Sequence, residues 1–133
     1  MSNPFVAAPH PVRILYVEDN PLVREVTSEL LAQEGRKIVA LGSAEEALQA
    51  FRTDRYDVII TDVSLPLMSG MDLARTLLRE DPSLPIIIAS GYSLEGAQRW
   101  GPRVRTIIKP FESDEINALI SEVSRISEVS RRP

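Results

Sequence analysis

Residues 57–63 read Asp-Val-Ile-Ile-Thr-Asp-Val, with three β-branched side chains in a row at positions 58–60. An apolar run without polar alternation is typical of a strand that is buried on both faces, as in parallel sheets covered by helices. We therefore predict that this segment is an internal strand of a parallel sheet.

Similar apolar runs occur on both sides of this strand, and amphipathic segments alternate with them. This alternation indicates parallel strands joined by right-handed crossovers, with helices on both faces. The predicted fold is a doubly wound α/β domain. Its strands are predicted at residues 12–17, 37–41, 57–63, 85–89 and 104–108. Its helices are predicted at residues 21–34, from 43 onward, 71–80 and 113–129.

Two of these helices carry recognisable end signals. Asn20 is a good N-cap, and Pro21 after it suits the first helical position. Gly35 is predicted to end that helix. Ser43 and Glu46 form the capping-box pattern that opens the next helix.

The segment between the fourth and fifth strands is a weak candidate for a helix. Glycine or proline interrupts it at positions 91, 96, 101 and 102. Both residue types are unfavourable in the interior of a helix. The helix expected here, the fourth of the alternating pattern, is therefore predicted to be short, distorted or missing.

Length and composition fit one domain, since 133 residues suffice for a single core. We predict a disordered tail at residues 1–11, the domain at 12–129 and a short C-terminal tail at 130–133. The chain has no cysteine, which excludes disulfides and thiolate chemistry and favours a cytoplasmic location. The sequence contains neither an apolar run long enough for a bilayer nor a secretory signal pattern, so we expect no membrane span.

The formal net charge is −4, with a pI near 5.0. Non-specific nucleic-acid binding depends on neutralising phosphates, so we expect no direct contact with nucleic acid. No second core and no DNA-recognition helix follow the last predicted helix. Output is therefore expected through protein contacts, or through a larger regulator of which this chain is a fragment.

Polar and charged side chains follow four of the predicted strands. Glu18 and Asp19 come after the first, Asp62 lies near the end of the third, Ser90 ends the fourth, and Lys109 follows the fifth. In open parallel sheets, sites form outside the carboxyl ends of the strands. We therefore expect these five residues to converge at one rim.

Three carboxylates at one rim repel one another, and a hard divalent cation relieves that conflict. Mg²⁺ prefers oxygen ligands, which matches a site without Cys or His. A carboxylate such as Asp62 can accept a phosphoryl group as an acyl phosphate. Lys109 would then offer a positive charge to the phosphate, and Ser90 a hydrogen bond.

Each of these residues also has an ordinary structural interpretation. Asp19 precedes a helix and could complement its N-terminus. Asp62 could be a turn residue before Pro66, and Lys109 could be an ordinary loop lysine. The convergence of all of them at one rim favours the functional interpretation.

Three motifs carry a resemblance to a known family. They are Glu18-Asp19-Asn20-Pro21, the segment Thr-Asp-Val-Ser-Leu-Pro-Leu-Met-Ser-Gly at residues 61–70, and Lys109-Pro110-Phe111. In their order and spacing they are similar to the signatures of response-regulator receiver domains. The resemblance covers about residues 12–126.

This resemblance implies a five-stranded parallel sheet of order 2-1-3-4-5 with five helices, the flavodoxin-like receiver fold. It implies that Asp62 is the phosphoacceptor, which receives phosphate from a sensor histidine kinase or a histidine phosphotransfer protein. It also implies a cis peptide bond between Lys109 and Pro110. The implied Mg²⁺ ligands are Glu18, Asp19, Asp62 and the backbone carbonyl of Ser64, and the implied phosphate contacts are Ser90 and Lys109.

Two features depart from the usual family pattern. The position three residues before Lys109 usually holds an aromatic switch residue, and here it is Thr106. The usual movement of that aromatic side chain therefore does not carry over. The run Ala-Ser-Gly-Tyr at residues 89–92 is similar to the Ala-Thr-Gly-Tyr-like motif of receivers whose fourth helix is atypical.

A partner surface is predicted on the 91–103 segment, the fifth strand and the last helix. A downstream protein would bind there, and either a monomer or a phosphorylation-dependent dimer is compatible with the sequence. Trp100 would act as an interface anchor. Its alternative role is to cover the core where the fourth helix is short. This surface is predicted to be locally basic within an acidic protein, and its residues are Arg99, Trp100, Arg103 and Arg105.

Three other functions must be weighed for a chain of this pattern, and particular residues argue against each of them. A flavin-binding module would need a Ser/Thr/Gly-rich phosphate loop after the first strand, where this chain has Glu18 and Asp19. An aspartyl-phosphate phosphatase would need a second Asp two residues after the nucleophile, where this chain has Ser64. A pseudo-receiver that acts without phosphorylation would not need the acidic pair, Asp62 and Lys109.

Overall fold

The computed structural model describes residues 10–130 of the chain. Residues 1–9 of the tail predicted at 1–11 lie outside the described residues. Residues 131–133 of the predicted C-terminal tail also lie outside them. Among the described residues, no helix combines the length and the apolar character that a bilayer crossing requires.

Five strands and four α-helices alternate along the described chain. The strands are β1 (Val12–Val17), β2 (Arg36–Leu41), β3 (Val58–Asp62), β4 (Ile86–Ser90) and β5 (Val104–Ile108). The helices are α1 (Pro21–Leu31), α2 (Ala44–Thr53), α3 (Gly70–Glu80) and α4 (Ser113–Ser130). All four neighbouring strand pairs are parallel, and the sheet order is β2-β1-β3-β4-β5. The predicted doubly wound fold and strand order are confirmed.

Two apolar layers cover the sheet, one on each face. On one face, Leu15, Ile59 and Ile88 pack with residues of α2 and α3, including Leu73 and Leu77. On the opposite face, β-strand side chains pack with Leu31 of α1 and with Ile116, Ile120 and Val123 of α4. Because both faces are covered, β3 and β4 are buried throughout, which explains their unbroken apolar runs.

The end of α1 differs from the prediction. The helix ends at Leu31 rather than near residue 34, because Ala32 already has an extended conformation. The chain needs residues 32–35 to return to the sheet, where Arg36 pairs with Val12. Gly35 supplies the left-handed turn of this return with a φ of 83°.

A single 3-10 turn, Ala97–Trp100, replaces an α-helix between β4 and β5. Gly96 precedes the turn in a left-handed conformation with a φ of 78°, and Gly101 follows it in an extended conformation. These glycines break the helical path at both ends. The prediction of a short or distorted fourth helix is therefore confirmed, and α4 is the last helix within residues 10–130.

Candidate functional site

The strand register brings the predicted site residues to one rim. Asp62 is the last residue of β3 and pairs with Ala89 of β4, while Ser90, the last residue of β4, pairs with Ile108 of β5. On the other side, Val17 at the end of β1 pairs with Thr61. The residues that follow these positions therefore emerge side by side, which is why Glu18 and Lys109 reach Asp62 from distant parts of the sequence.

Lys109 connects two of the three carboxylates. Its Nζ donates to Asp62 Oδ2 at 3.0 Å and to Glu18 Oε1 at 3.1 Å. Glu18 is 3% exposed and Asp62 is 9% exposed, so both ion pairs are shielded from water on the carboxylate side. The contacts hold the two carboxylates next to one ammonium group.

Burial and these contacts act in opposite directions on the pKa values. Burial raises the pKa of the Glu18 carboxyl above its ordinary value, although the Asn20 N–H and Lys109 oppose this rise. Burial also disfavours the charged form of Lys109, but hydrogen bonds to Asp62 and Glu18 outweigh burial and raise its pKa. Lys109 is therefore a protonated, cationic residue at neutral pH.

The three carboxylates form a group that could hold a metal ion. Glu18, Asp19 and Asp62 each offer an oxygen, and these atoms all lie within 4.8 Å of one another. The donors are hard carboxylate oxygens without sulfur or imidazole, which fits Mg²⁺. Asp19 is exposed, so the group opens to solvent on one side. The predicted residues therefore lie together with suitable chemistry.

The loop after β3 is fixed against the acceptor candidate. The Ser64 N–H donates to Asp62 Oδ1 at 3.2 Å, which orients that carboxylate. The Gly70 N–H donates to the Val63 carbonyl, and a Cβ on Gly70 would overlap the carbonyl oxygen of Asp62. Glycine is therefore required where α3 begins.

Ser90 and Lys109 are also joined through the backbone. The Ser90 side chain is buried, and its Oγ accepts a hydrogen bond from the Tyr92 N–H at 3.1 Å. The Lys109 N–H donates to the Ser90 carbonyl at 2.7 Å. The Lys109–Pro110 bond is cis, as the resemblance implies.

The predicted partner surface is only partly basic. Arg99 is exposed, but Arg103 is 9% exposed and its guanidinium donates to the Ser83 carbonyl. Arg105 is half-buried and pairs with Glu122 at 3.0 Å. The Arg103 guanidinium is therefore largely buried beside Ser83 and adds little exposed positive charge. The partner surface itself stays a prediction.

Trp100 takes the core-covering position that the sequence left open. It is half-buried and packs against the apolar cluster shared with α3. The Arg75 guanidinium lies 5.9 Å from its ring centroid. Trp100 thus fills part of the space that a full helix between β4 and β5 would cover.

Sequence reasoning missed two supports of the site. The Arg24 guanidinium donates to the Glu18 carbonyl at 2.8 Å, and the Asn20 N–H donates to Glu18 Oε2 at 3.1 Å. Asn20 was predicted only as a helix cap, a role that its side chain does fill. One indication of this contact was available in the sequence, because Arg24 lies near the start of α1, the helix that follows the acidic pair.

The comparisons with known proteins identify the family. Residues 14–121 match the model of the response regulator receiver domain. The chain therefore belongs to the response regulator receiver domain family, whose members are phosphorylated on an aspartate in two-component signalling.

Named relatives agree with this assignment. The chain is 35% identical over 111 residues to the probable transcriptional regulatory protein TcrX of Mycobacterium tuberculosis, covering 80% of this chain and 47% of TcrX. It is 32% identical to the two-component response regulator PhoP of Pseudomonas aeruginosa, covering 87% of this chain and 53% of PhoP. The chain thus spans about half the length of these curated relatives.

A solved structure shares the fold at a similar level of identity. The response regulator TrrA of Thermotoga maritima, solved with Mg²⁺-BeF, is 30% identical and superimposes with a TM-score of 0.75. The match covers 84% of this chain and 97% of that one.

Proposed function

We propose that this chain is a phosphorylation-dependent switch in which Asp62 accepts the phosphoryl group. The observation that carries the proposal is the contact of Lys109 Nζ with both Asp62 Oδ2 and Glu18 Oε1, beside Asp19 at the rim. A carboxylate nucleophile, an acidic pair and a lysine are the parts that phosphoryl transfer to aspartate requires.

The acidic group is proposed to bind Mg²⁺ through Glu18, Asp19, Asp62 and the backbone carbonyl of Ser64. When bound, Mg²⁺ supplies positive charge that offsets the charge developing on the transferred phosphoryl oxygens. The fit rests on three carboxylate oxygens within 4.8 Å of one another and on the crowding of their negative charges.

The transfer step moves one phosphoryl group between two proteins. The P–N bond of a phosphohistidine breaks as an Asp62 oxygen forms a P–O bond, which leaves an acyl phosphate on Asp62 and a neutral imidazole on the donor after proton uptake. Lys109 is already within hydrogen-bond distance of the acceptor carboxylate. It can therefore follow the negative charge onto the new phosphate oxygens with a small movement.

The output of the switch is proposed to pass through Ser90. In the structure the Ser90 Oγ accepts from the Tyr92 N–H, so it holds the start of the 91–103 segment. The Ser90 hydroxyl would donate to phosphate while its oxygen is the acceptor for the Tyr92 N–H, so a shift of Ser90 toward the phosphate would pull on the backbone at Tyr92. The phosphate would therefore make a contact in the switched conformation that it lacks in the present one. A ligand shifts a conformational equilibrium only through such a difference in contacts.

The proposed partners follow from this chemistry. A sensor histidine kinase or a histidine phosphotransfer protein donates the phosphoryl group, and a downstream protein binds the changed 91–105 region and α4. The chain acts as an acceptor and switch rather than as an enzyme that turns over a separate substrate. A cytoplasmic location and a monomer or phosphorylation-dependent dimer stay predictions.

Acetyl phosphate tests the proposal without a known kinase. The protein is incubated with Mg²⁺ and acetyl phosphate, and its intact mass is measured beside Asp62→Asn and the control Asp72→Asn, which alters an exposed residue of α3. We expect one base-labile phosphoryl group on the wild type and on Asp72→Asn, and none on Asp62→Asn. A wild type that binds Mg²⁺ but takes no phosphate would instead favour a pseudo-receiver.

A further inference from the structure

The turn that carries two of the three carboxylates is held from several sides. The Glu18 N–H donates to the Leu41 carbonyl of β2 at 3.0 Å, and the Glu18 side chain accepts from the Asn20 N–H at 3.1 Å. Asn20 in turn caps α1 by accepting from the Leu22 and Val23 N–H groups. The Glu18 carbonyl oxygen points away from these contacts, toward a different donor.

That donor is Arg24, which lies on α1 beyond its first turn. Its Nη1 donates to the Glu18 carbonyl at 2.8 Å, and the side chain is half-buried. The guanidinium reaches this carbonyl past Gly42, at the end of β2. A Cβ on Gly42 would lie 3.0 Å from Arg24 Nη1, which is closer than nearly all real Cβ contacts. The absence of a side chain at position 42 therefore leaves the space that the guanidinium occupies.

We propose that Arg24 is a positioning residue for the metal site. Its hydrogen bond to the Glu18 carbonyl fixes the turn at residues 18–20, so that Glu18 and Asp19 stay gathered with Asp62 despite the repulsion of their charges. Groups that orient metal ligands from behind typically contribute about 10- to 100-fold to metal affinity. This inference rests on the proposed function, because it assumes that these carboxylates bind Mg²⁺.

A positioning role and a purely electrostatic role of Arg24 predict opposite changes in Mg²⁺ affinity when the residue is removed. If Arg24 acted only through its positive charge near the site, its removal would strengthen the binding of a cation. If it acts by holding the turn, its removal frees Glu18 and Asp19 to move apart, and Mg²⁺ binding weakens. The sign of the change therefore separates the two roles.

The experiment is a Mg²⁺ titration followed by amide NMR shifts, with no phosphodonor present. The variants are Arg24→Met, Gly42→Ala and the double variant, and the control is Arg79→Met, which removes an exposed arginine from the last turn of α3. We expect the Mg²⁺ dissociation constant to rise about tenfold in Arg24→Met and to stay near the wild-type value in Arg79→Met. Dispersed spectra without Mg²⁺ identify the variants that fold.

Gly42→Ala provides the second arm, since it leaves the arginine in place but crowds its guanidinium, which must shift by a few tenths of an ångström. Gly42 does not have a left-handed conformation, so alanine introduces no backbone strain there. We expect Gly42→Ala to weaken Mg²⁺ binding less than Arg24→Met does, and to add nothing in the Arg24→Met background, because both changes act on the same interaction.

Two results would overturn the inference. One is unchanged or tighter Mg²⁺ binding in folded Arg24→Met, and the other is a full additive effect of Gly42→Ala in the double variant. Failure of the proposed Mg²⁺ site gives a different result, since the wild type itself would then show no saturable Mg²⁺ shifts at residues 18, 19 and 62. Failure of phosphoryl transfer alone leaves those shifts in place and is detected by the acetyl phosphate experiment.

Discussion

At the residue scale, the site contains three carboxylates, and the single ammonium group of Lys109 does not balance their charge. Lys109 contacts Glu18 and Asp62, whereas Asp19 stands exposed beside them with its oxygen in the same group. Like charges at this distance destabilise the folded state in the absence of a further cation. Sites of this kind commonly trade stability for function.

Asp19→Asn should therefore stabilise the protein when Mg²⁺ is absent. Removing one of three crowded charges is expected to raise the Tm by a few degrees in EDTA and to abolish the further rise that Mg²⁺ gives the wild type. Thermal unfolding with and without Mg²⁺ measures both effects. Glu29→Gln, which removes an exposed negative charge from α1, is the matched control. An Asp19→Asn variant that is less stable in EDTA would contradict this expectation.

An ion pair outside the site, between Arg13 and Asp54, is expected to make the stability of the protein depend on pH. A hydrogen bond from the Arg55 N–H and the contact with Arg13 lower the pKa of Asp54 from its ordinary value of 3.8. A depressed folded-state pKa contributes stability above the unfolded-state value, and this contribution is lost as the pH falls through the folded-state pKa. Asp54→Asn should be less stable than the wild type at pH 7.

Urea unfolding from pH 7 down to pH 2 checks this dependence. The difference between wild type and Asp54→Asn should shrink below about pH 3.8, where the unfolded-state carboxyl becomes protonated. It should be small at all pH values, because the pair is exposed to solvent. A difference that is independent of pH would assign the effect to something other than the charge.

Individual residues were predictable where a strand end fixes their place. Asp62, Ser90 and Lys109 follow apolar runs, so a parallel sheet brings them to one rim whatever the loops do. The Arg24 contact was not predictable in this way, because it depends on the path of the turn at 18–20 and on the space beside Gly42. Neither feature has a periodic signal in the sequence.

At the element scale, the connection between β4 and β5 distinguishes this domain from the five-helix pattern that the resemblance implied. Glycines at its ends allowed the loss of the helix to be predicted, but not the 3-10 turn or the packing of Trp100 on α3. The end of α1 was misjudged because Gly35 marks the turn into β2, whereas the helix ends earlier at Leu31.

We expect the 91–103 segment to respond to phosphorylation. Beryllofluoride with Mg²⁺, the combination bound in the TrrA structure, serves as the phosphate mimic. Hydrogen exchange of amides 91–103 should change on its addition, since a shift of Ser90 toward the mimic would pull on the backbone at Tyr92. The change should be lost in Ser90→Ala. Identical exchange of this segment in both states of the wild type would exclude the proposed output.

The start of α3 should tolerate no side chain at position 70. Gly70→Ala places a Cβ against the Asp62 carbonyl oxygen and is expected to lower the free energy of unfolding by about 2–4 kcal/mol. Gly91→Ala is the control, because a Cβ at position 91 meets no atom within 4 Å. Urea unfolding measures both variants. Equal stability of the two would show that the β3–α3 loop relaxes around the added methyl group.

At the scale of the whole molecule, the function follows from the topology. Each parallel strand ends at the same edge, so side chains from four segments that are distant in sequence meet there. This is why the fold class and the rim could be predicted from apolar runs alone. The charge of the predicted partner surface could not, because Arg103 contacts Ser83 and Arg105 pairs with Glu122 of α4, and these residues are distant in sequence.

Borohydride reduction tests the central claim, that Asp62 accepts the phosphoryl group, most directly. The protein is treated with acetyl phosphate and Mg²⁺, reduced so that any aspartyl phosphate becomes homoserine, digested and mapped by peptide mass spectrometry. The account predicts homoserine at position 62 only, and none when Mg²⁺ is removed by EDTA. Homoserine at another aspartate with residue 62 unmodified, or no homoserine in a Mg²⁺-bound protein, would contradict it.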